Sequence, residues 1–281
     1  MTSRPALVGF VALLAVACGA TNGGVRFDTP PAKYQRAPDG PAHPSAQEVA
    51  IVGFVGDATS ELKLTEDQRR HIDAILSALT EKHAAALLAR KVLSRDLAAS
   101  VDANALDEAL LMLDAKNLGD ARAAVAGDDA RALAELHALM DVSQRKAFAA
   151  ALVARADHLK VDDPKSRLAT WSYDLRLDDA QRAKIEAKLN GDAAGDASAR
   201  AEHDIWDQRL RATAAGFGEA SFQGDVFDDK NVVETTKART ARLVTFLRVV
   251  LPELSEEQRG RAAGIIRSDV GLPAHGATEA R

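Results

Sequence analysis

An all-α fold of long amphipathic helices in two related helical-hairpin halves is what this chain predicts, and three features carry that expectation. Aromatic residues make up only 4% of the chain while alanine, leucine and charged residues abound, a composition that suits helices and not sheets. From Asp57 to Leu118 there is neither glycine nor proline, and the apolar residues there fall near a 3.6-residue period. One short helix-opening pattern occurs four times, at Leu64-Thr65-Glu66-Asp67-Gln68-Arg69, Met140-Asp141-Val142-Ser143-Gln144-Arg145, Leu177-Asp178-Asp179-Ala180-Gln181-Arg182 and Leu254-Ser255-Glu256-Glu257-Gln258-Arg259.

In each copy an aliphatic residue precedes a small oxygen-bearing one, then two free positions, then Gln-Arg. Thr65, Asp141, Asp178 and Ser255 are suited to cap a helix by accepting the amide of the third helical residue. The glutamine there (Gln68, Gln144, Gln181, Gln258) can reach back to the cap amide and close a capping box. Such a cap stabilises a helix by roughly 1 kcal/mol. Four well-started helices would account for each copy alone. The chain has only eight glutamines, however, and four of them occupy this frame, so the recurrence asks for more than capping.

Taken in order, residues 1–17 read as an export signal. Arg4 supplies a positive start and Ala6 to Ala17 a 12-residue apolar run, too short to span a bilayer. Ala15-Val16-Ala17 precede Cys18, the only cysteine, and Gly19 follows it. This junction resembles a bacterial lipobox, with Ala15 where leucine is usual, and implies lipidation of Cys18. Ordinary cleavage at the same small-residue site, leaving a soluble protein, is the alternative. Residues 18–45 hold five of the nine prolines and no apolar period, so they form an extended tether.

Residues 46–163 form the first half. Ser45-Ala46-Gln47-Glu48 is a further capping pattern, ahead of a short apolar segment through Ile51, Phe54 and Val55. After the first motif Ile72, Ile75, Leu76, Leu79, Leu87 and Leu97 predict one long helix. Asp102 is the expected cap of the next, through Leu106, Leu110, Leu113, Leu118 and Val125, with Gly127 a weak point or break. Leu133, Leu136 and Leu139 lead into the second motif, whose helix should bury Phe148, Leu152 and Val153. His83 and His137 stand at stripe edges, where a core or boundary histidine is favoured over a switch.

Asp162-Asp163-Pro164 opposes helix and divides the halves. The second half, residues 164–270, begins with Leu168, Trp171 and Leu175 and reaches the third motif. A loop is expected from Gly191 to Ser198, then a helix through Ile205, Trp206 and Leu210 ending near Gly216 and Gly218. Asp228 or a neighbour should open a helix through Val232, Val233, Leu243, Leu247 and Val250, which Pro252 ends. Residues 271–281 form a tail. The two motifs of each half lie 76 and 77 residues apart, yet Asp102 is 38 residues from Leu64 and Asp228 is 51 from Leu177, so the halves align only with gaps.

The recurring pattern resembles the LTxxQ motif of the Spy/CpxP family of bacterial periplasmic proteins, which Leu64-Thr65-Glu66-Asp67-Gln68 matches letter for letter. The resemblance covers roughly residues 45–270. It implies a thin, curved helical layer, usually dimeric, that acts in envelope stress as an ATP-independent chaperone for unfolded or partly folded clients. Family members usually carry two motifs, so four imply a fused pair of units and an intramolecular pseudo-dimer. With the lipobox, it implies a protein of the periplasm of a Gram-negative bacterium, anchored by lipid to a membrane, the outer one being expected.

Other chemistry is sparse. No phosphate-cradling glycine loop, no His-Glu-x-x-His helix and no Gly-x-Ser-x-Gly turn is present, so neither an enzyme nor a cofactor is expected. None of the seven histidines pairs with another at helical spacing, which leaves no local metal site. A net charge of -5 gives no reason to expect nucleic acid. Lys237, Arg239, Arg242 and Arg248 share a helix with an apolar stripe and are the candidate client-binding residues, steering acidic segments; a plain solvated face is the competing reading. Two other functions stay open: a sensor of envelope or metal stress that binds a membrane-bound regulator, and a lipid-anchored spacer.

Overall fold

The computed structural model describes residues 62–157, 161–190, 193–222 and 231–268, with Val55, Ala58 and Thr59 ahead of them. Cys18, the export signal, the tether, Asp228 and the tail lie outside the described residues. Those described are helical, with no strand among them. We number the helices α1 (Glu66–Lys82), α2 (Ala84–Asp102), α3 (Glu108–Leu139), α4 (Val142–Asp157), α5 (Pro164–Asp174), α6 (Asp179–Leu189), α7 (Ala193–Gly218), α8 (Val232–Val250) and α9 (Glu256–Ser268). A single 3₁₀ turn, Leu251–Glu253, joins α8 to α9.

Several boundaries depart from the sequence reading. The stretch after the first motif is divided at His83, whose ψ of -3° ends α1 and starts α2. Its ring is drawn inward, with Nε2 2.7 Å from Asp129 Oδ1 on α3. Asp102 caps nothing. It is the last residue of α2, and Asp107 caps α3 by accepting the amide of Leu110 at 3.0 Å. Between them the chain turns through Asn104 at φ 52°. Asn104 donates to Val101 O and Ala105 to Ser100 O, the paired bonds of a Schellman motif. The same motif closes α5, with Arg176 at φ 55° and amides of Arg176 and Leu177 bonded to Tyr173 O and Ser172 O.

Gly127 breaks nothing: α3 runs 32 residues straight through it. Packing along the rest of that helix outweighs one unfavourable propensity, worth about 1 kcal/mol. The expected loop at Gly191 to Ser198 gives way to helix from Ala193. α8 starts at Val232 behind Asn231. At Asp163-Pro164 a helix starts, with Asp163 capping α5 by accepting from Ser166 at 2.7 Å and proline in the first turn.

The side chains bury themselves in two separate clusters. One holds Leu97, Ala98 and Val101 of α2 and Leu111 of α3 with Leu168 and Trp171 of α5, Ile185 of α6, Phe246 and Leu247 of α8 and Ala262 and Ile266 of α9. The other holds Ile72, Leu76 and Leu79 of α1, Leu133 and Leu136 of α3 and Phe148 and Leu152 of α4 with Leu210, Ala214 and Phe217 of α7. Each core therefore draws on helices from both sides of Pro164. α2 leans on α9, α7 leans on α4, and α3 and α8 pack along each other. At the α3–α8 contact the backbones come so close that a Cβ on Gly119 would stand 2.7 Å from Val233 Cα.

Candidate functional site

The motif residues fall together in pairs. All four capping boxes form: Gln68, Gln144, Gln181 and Gln258 amides donate to Thr65, Asp141, Asp178 and Ser255 side chains at 3.2, 2.8, 2.7 and 3.3 Å. The cap amides donate back to the glutamine Oε1 atoms at 2.9 to 3.1 Å. The aliphatic leaders plug the cores, since Met140, Leu177 and Leu254 are buried and Leu64 is packed partly buried.

What capping alone did not foretell is that the glutamines meet across the fold. Gln68 Nε2 donates to Gln144 Oε1 at 2.8 Å, and Gln144 Nε2 returns the bond to Gln68 Oε1 at 3.0 Å. Each also donates to a carbonyl before the partner motif, Gln68 to Leu139 O at 2.7 Å and Gln144 to Lys63 O at 2.8 Å. The second pair repeats this. Gln181 and Gln258 exchange amide bonds at 2.9 and 3.0 Å and reach Glu253 O at 2.7 Å and Arg176 O at 3.4 Å. Every glutamine oxygen accepts two bonds and every amide nitrogen donates two, which fills the capacity of the group. The arginine that follows is less uniform. Arg145 Nη1 donates to Glu219 O at 3.2 Å, tying the second motif to the end of α7, and Arg259 Nη1 donates to Leu254 O at 2.8 Å, whereas Arg69 is exposed.

The basic run on α8 does not form one solvated face. Lys237 pairs with Glu234 of its own helix, and Arg248 pairs with Glu108 of α3 at the surface. Arg239 and Arg242 turn inward and share the Glu202 carboxylate of α7, Arg239 through Nε to Oε1 and Arg242 through Nη2 to Oε2. His83 and His137 are buried, as expected, and His137 Nε2 sits 2.9 Å from the Glu219 carbonyl oxygen.

The burial of Asp114 had no sequence signal, and Leu87, Leu113 and Ile205, read from the sequence as apolar-stripe residues, are not buried. Asp114 of α3 is buried beside Asp96 of α2. Burial and the Asp96 charge push its carboxyl above the ordinary range, while Arg95 holds Asp96 below it. Large apolar side chains also stand in solvent, with Leu88 64%, Val142 55% and Leu113 54% exposed, and Leu87 and Ile205 also exposed. Among the described residues no helix is long and apolar enough to cross a membrane, and no three His, Cys, Asp or Glu side chains gather as metal ligands. Compared with protein-family models, with curated proteins and with solved structures, the chain matches none.

Proposed function

We propose that the protein is an ATP-independent chaperone of the periplasm, tethered to a membrane through a lipidated Cys18, that holds unfolded or partly folded clients. The observation that carries this reading is the set of exposed leucines, valine and isoleucine on the helices: Leu87, Leu88, Leu113, Val142 and Ile205. A body split into two small cores has little interior in which to hide such side chains, and exposed apolar surface is what an unfolded segment recognises. The four motifs and their likeness to LTxxQ proteins support the same reading.

We propose further that the halves act as the two subunits of a fused dimer. Gln144 and Gln258 lie 114 residues apart, and the same offset carries Gly119 onto Val233. The close contact of α3 and α8 at Gly119 is therefore between corresponding positions, which supports an isologous contact about a two-fold axis. α2 over α9 and α7 over α4 are the two reciprocal arms.

Light scattering from two unrelated chemically denatured clients, diluted into stoichiometric protein without nucleotide, tests the chaperone. Both clients should stay in solution, and Leu88→Glu with Val142→Glu should weaken the effect at unchanged stability. Aggregation at the rate of the buffer control contradicts the reading. Tight capture of one membrane regulator without any holding activity would identify a stress sensor, and neither activity a spacer.

A further inference from the structure

α2 holds to the rest of the molecule chiefly by its ends. At its start the His83 ring meets Asp129 of α3, and no residue from Leu87 to Asp96 is buried. At its finish Leu97, Ala98 and Val101 enter the core around Trp171, with Leu111 of α3 and Ala262 of α9. Asp96 stands directly ahead of this second anchor. It faces Asp114 across the joint with α3, and a hydrogen bond joins the two carboxyls. Such a bond needs a proton on one of them. Arg95 donates to Asp96 from Nε to Oδ1 at 2.7 Å and from Nη2 to Oδ2 at 3.1 Å, which fixes Asp96 as the carboxylate. The proton is therefore on Asp114, which is only 5% exposed and whose Oδ2 has no partner.

Without that proton Asp114 would be a buried, unpaired charge set against a second carboxylate, an arrangement that is strongly unfavourable. The basic side chains of the surrounding helices are engaged elsewhere. Lys116 of α3 pairs with Asp120, Arg239 and Arg242 of α8 with Glu202, Arg248 of α8 with Glu108, and Arg267 of α9 with Asp102. Arg95 does act on Asp114, but more weakly than burial and Asp96, which together raise its carboxyl above the ordinary range. Freed from the joint, the carboxyl would return to its ordinary value near 4. Docking of α2 is therefore fully favoured below about pH 4 and weakens as pH rises through the raised, docked value. Nor is the pair needed to build such an arm. Gln68 and Gln181 are 113 residues apart, and the same offset sets Leu210 of α7 against Leu97 but Arg209 against Asp96.

We propose that Asp114 is a proton-operated clasp: with its proton it donates to Asp96 and keeps the end of α2 docked, and without it the two carboxylates part and that end lifts from α3 and α9. The proton passes to solvent. The movement bares Leu97 and Val101, together with Leu111 beneath them. It is a local opening and not global unfolding, because no residue of α2 belongs to the other core, where α4 meets α7. On the client-holding reading this adds apolar surface as pH rises. The clasp itself needs no client and would stand without that reading.

Hydrogen exchange of the full chain is followed by mass spectrometry between pH 4 and pH 9, normalised to the intrinsic rate at each pH. Protection of residues 95–102 should fall as pH rises, by up to about ten-fold per pH unit, the limit for one proton, while that of α4 and α7 stays level. Asp114→Asn keeps a donor and cannot ionise, so its α2 should stay protected throughout; an equal fall in this variant would assign the effect to another group and end the proposal. In the wild-type chain the carbon-13 carboxyl resonance of Asp114 should titrate in step with the loss of protection. Protection of α2 that ignores pH, a fall shared by α4 and α7, or a carboxyl already ionised at pH 4 would overturn the clasp whether or not the variant folds.

Discussion

A glutamate at the third helical position would close the same capping box that Gln68 closes, because only its oxygen is needed to accept the cap amide. It could not donate. In the reciprocal pair Gln68 and Gln144 each give two hydrogen bonds through Nε2, and two carboxylates in their place would repel. The preference for glutamine over glutamate in all four copies was therefore the legible trace of a partner, though capping chemistry alone could not say which motif it was. Gln68→Glu should lower stability by about 1–3 kcal/mol in urea unfolding, for lost donors to Leu139 O and Gln144, while exposed Gln208→Glu should change it little. A double-mutant cycle of Gln68→Ala with Gln144→Ala should show coupling of about 1 kcal/mol, and Gln68→Ala with Gln181→Ala none. Independent effects within the first pair would reduce the motif to four separate caps. Asp114 makes a different prediction. Its carboxyl is raised in the fold by burial and by Asp96, so the native state keeps a proton that the unfolded chain gives up. That term is harmless below the unfolded pKa of about 4 and costs stability as pH climbs from there through the raised native value. Asp114→Asn should accordingly stabilise the protein at pH 7 and leave it unchanged near pH 3, as read from melting temperatures.

Helix identity was plain from periodicity and caps, but helix ends were not, and the reasons are specific. His83 offers no glycine or proline to mark a break; the turn there coincides with a ring held by Asp129, 46 residues away. Asp102 looked like a cap because aspartate caps well, yet Asn104 takes the left-handed position that ends α2 and leaves capping to Asp107. Glycine proved the least readable signal. Gly127 and Gly119 lie on the same helix, and their sequence surroundings do not tell them apart. A Cβ on Gly127 would meet nothing within 4 Å, whereas one on Gly119 would press into the backbone of α8. Gly127→Ala should thus stabilise the protein by up to about 1 kcal/mol through helix propensity, and Gly119→Ala should destabilise it by about 1–3 kcal/mol by forcing α3 and α8 apart. Thermal melts of the two variants decide the matter: the same substitution, eight residues apart, should shift the midpoint in opposite directions.

At the scale of the whole molecule, the boundary at Asp162 to Pro164 is a real helix start, but the packing does not respect it. Phe217 of α7 lies 4.4 Å, ring centre to ring centre, from Phe148 of α4, and both are fully buried. In return Leu97, Ala98 and Val101 of α2 complete the core around Trp171 and Phe246. No periodicity within a helix reports which distant helix will cover it, so this exchange was invisible in the sequence, where only the doubled motif suggested that two units had been joined. It has a consequence for the chain cut in two. A fragment of residues 46–163 would bare Phe148 and Leu152 where α7 should lie, and one of residues 164–270 would bare Ala262 and Ile266 of α9 where α2 should lie. Apolar faces of that kind need a partner layer, and in the intact chain the partner is supplied at high effective concentration by the covalent link. The intact chain with Cys18→Ser should therefore sediment as a monomer. Each fragment alone should be poorly folded or self-associated, and the two mixed should regain a cooperative melt. Fragments that each melt cooperatively as monomers, or an intact chain that sediments as a stable dimer, would contradict the fused-dimer reading and leave two units that merely follow one another along the chain.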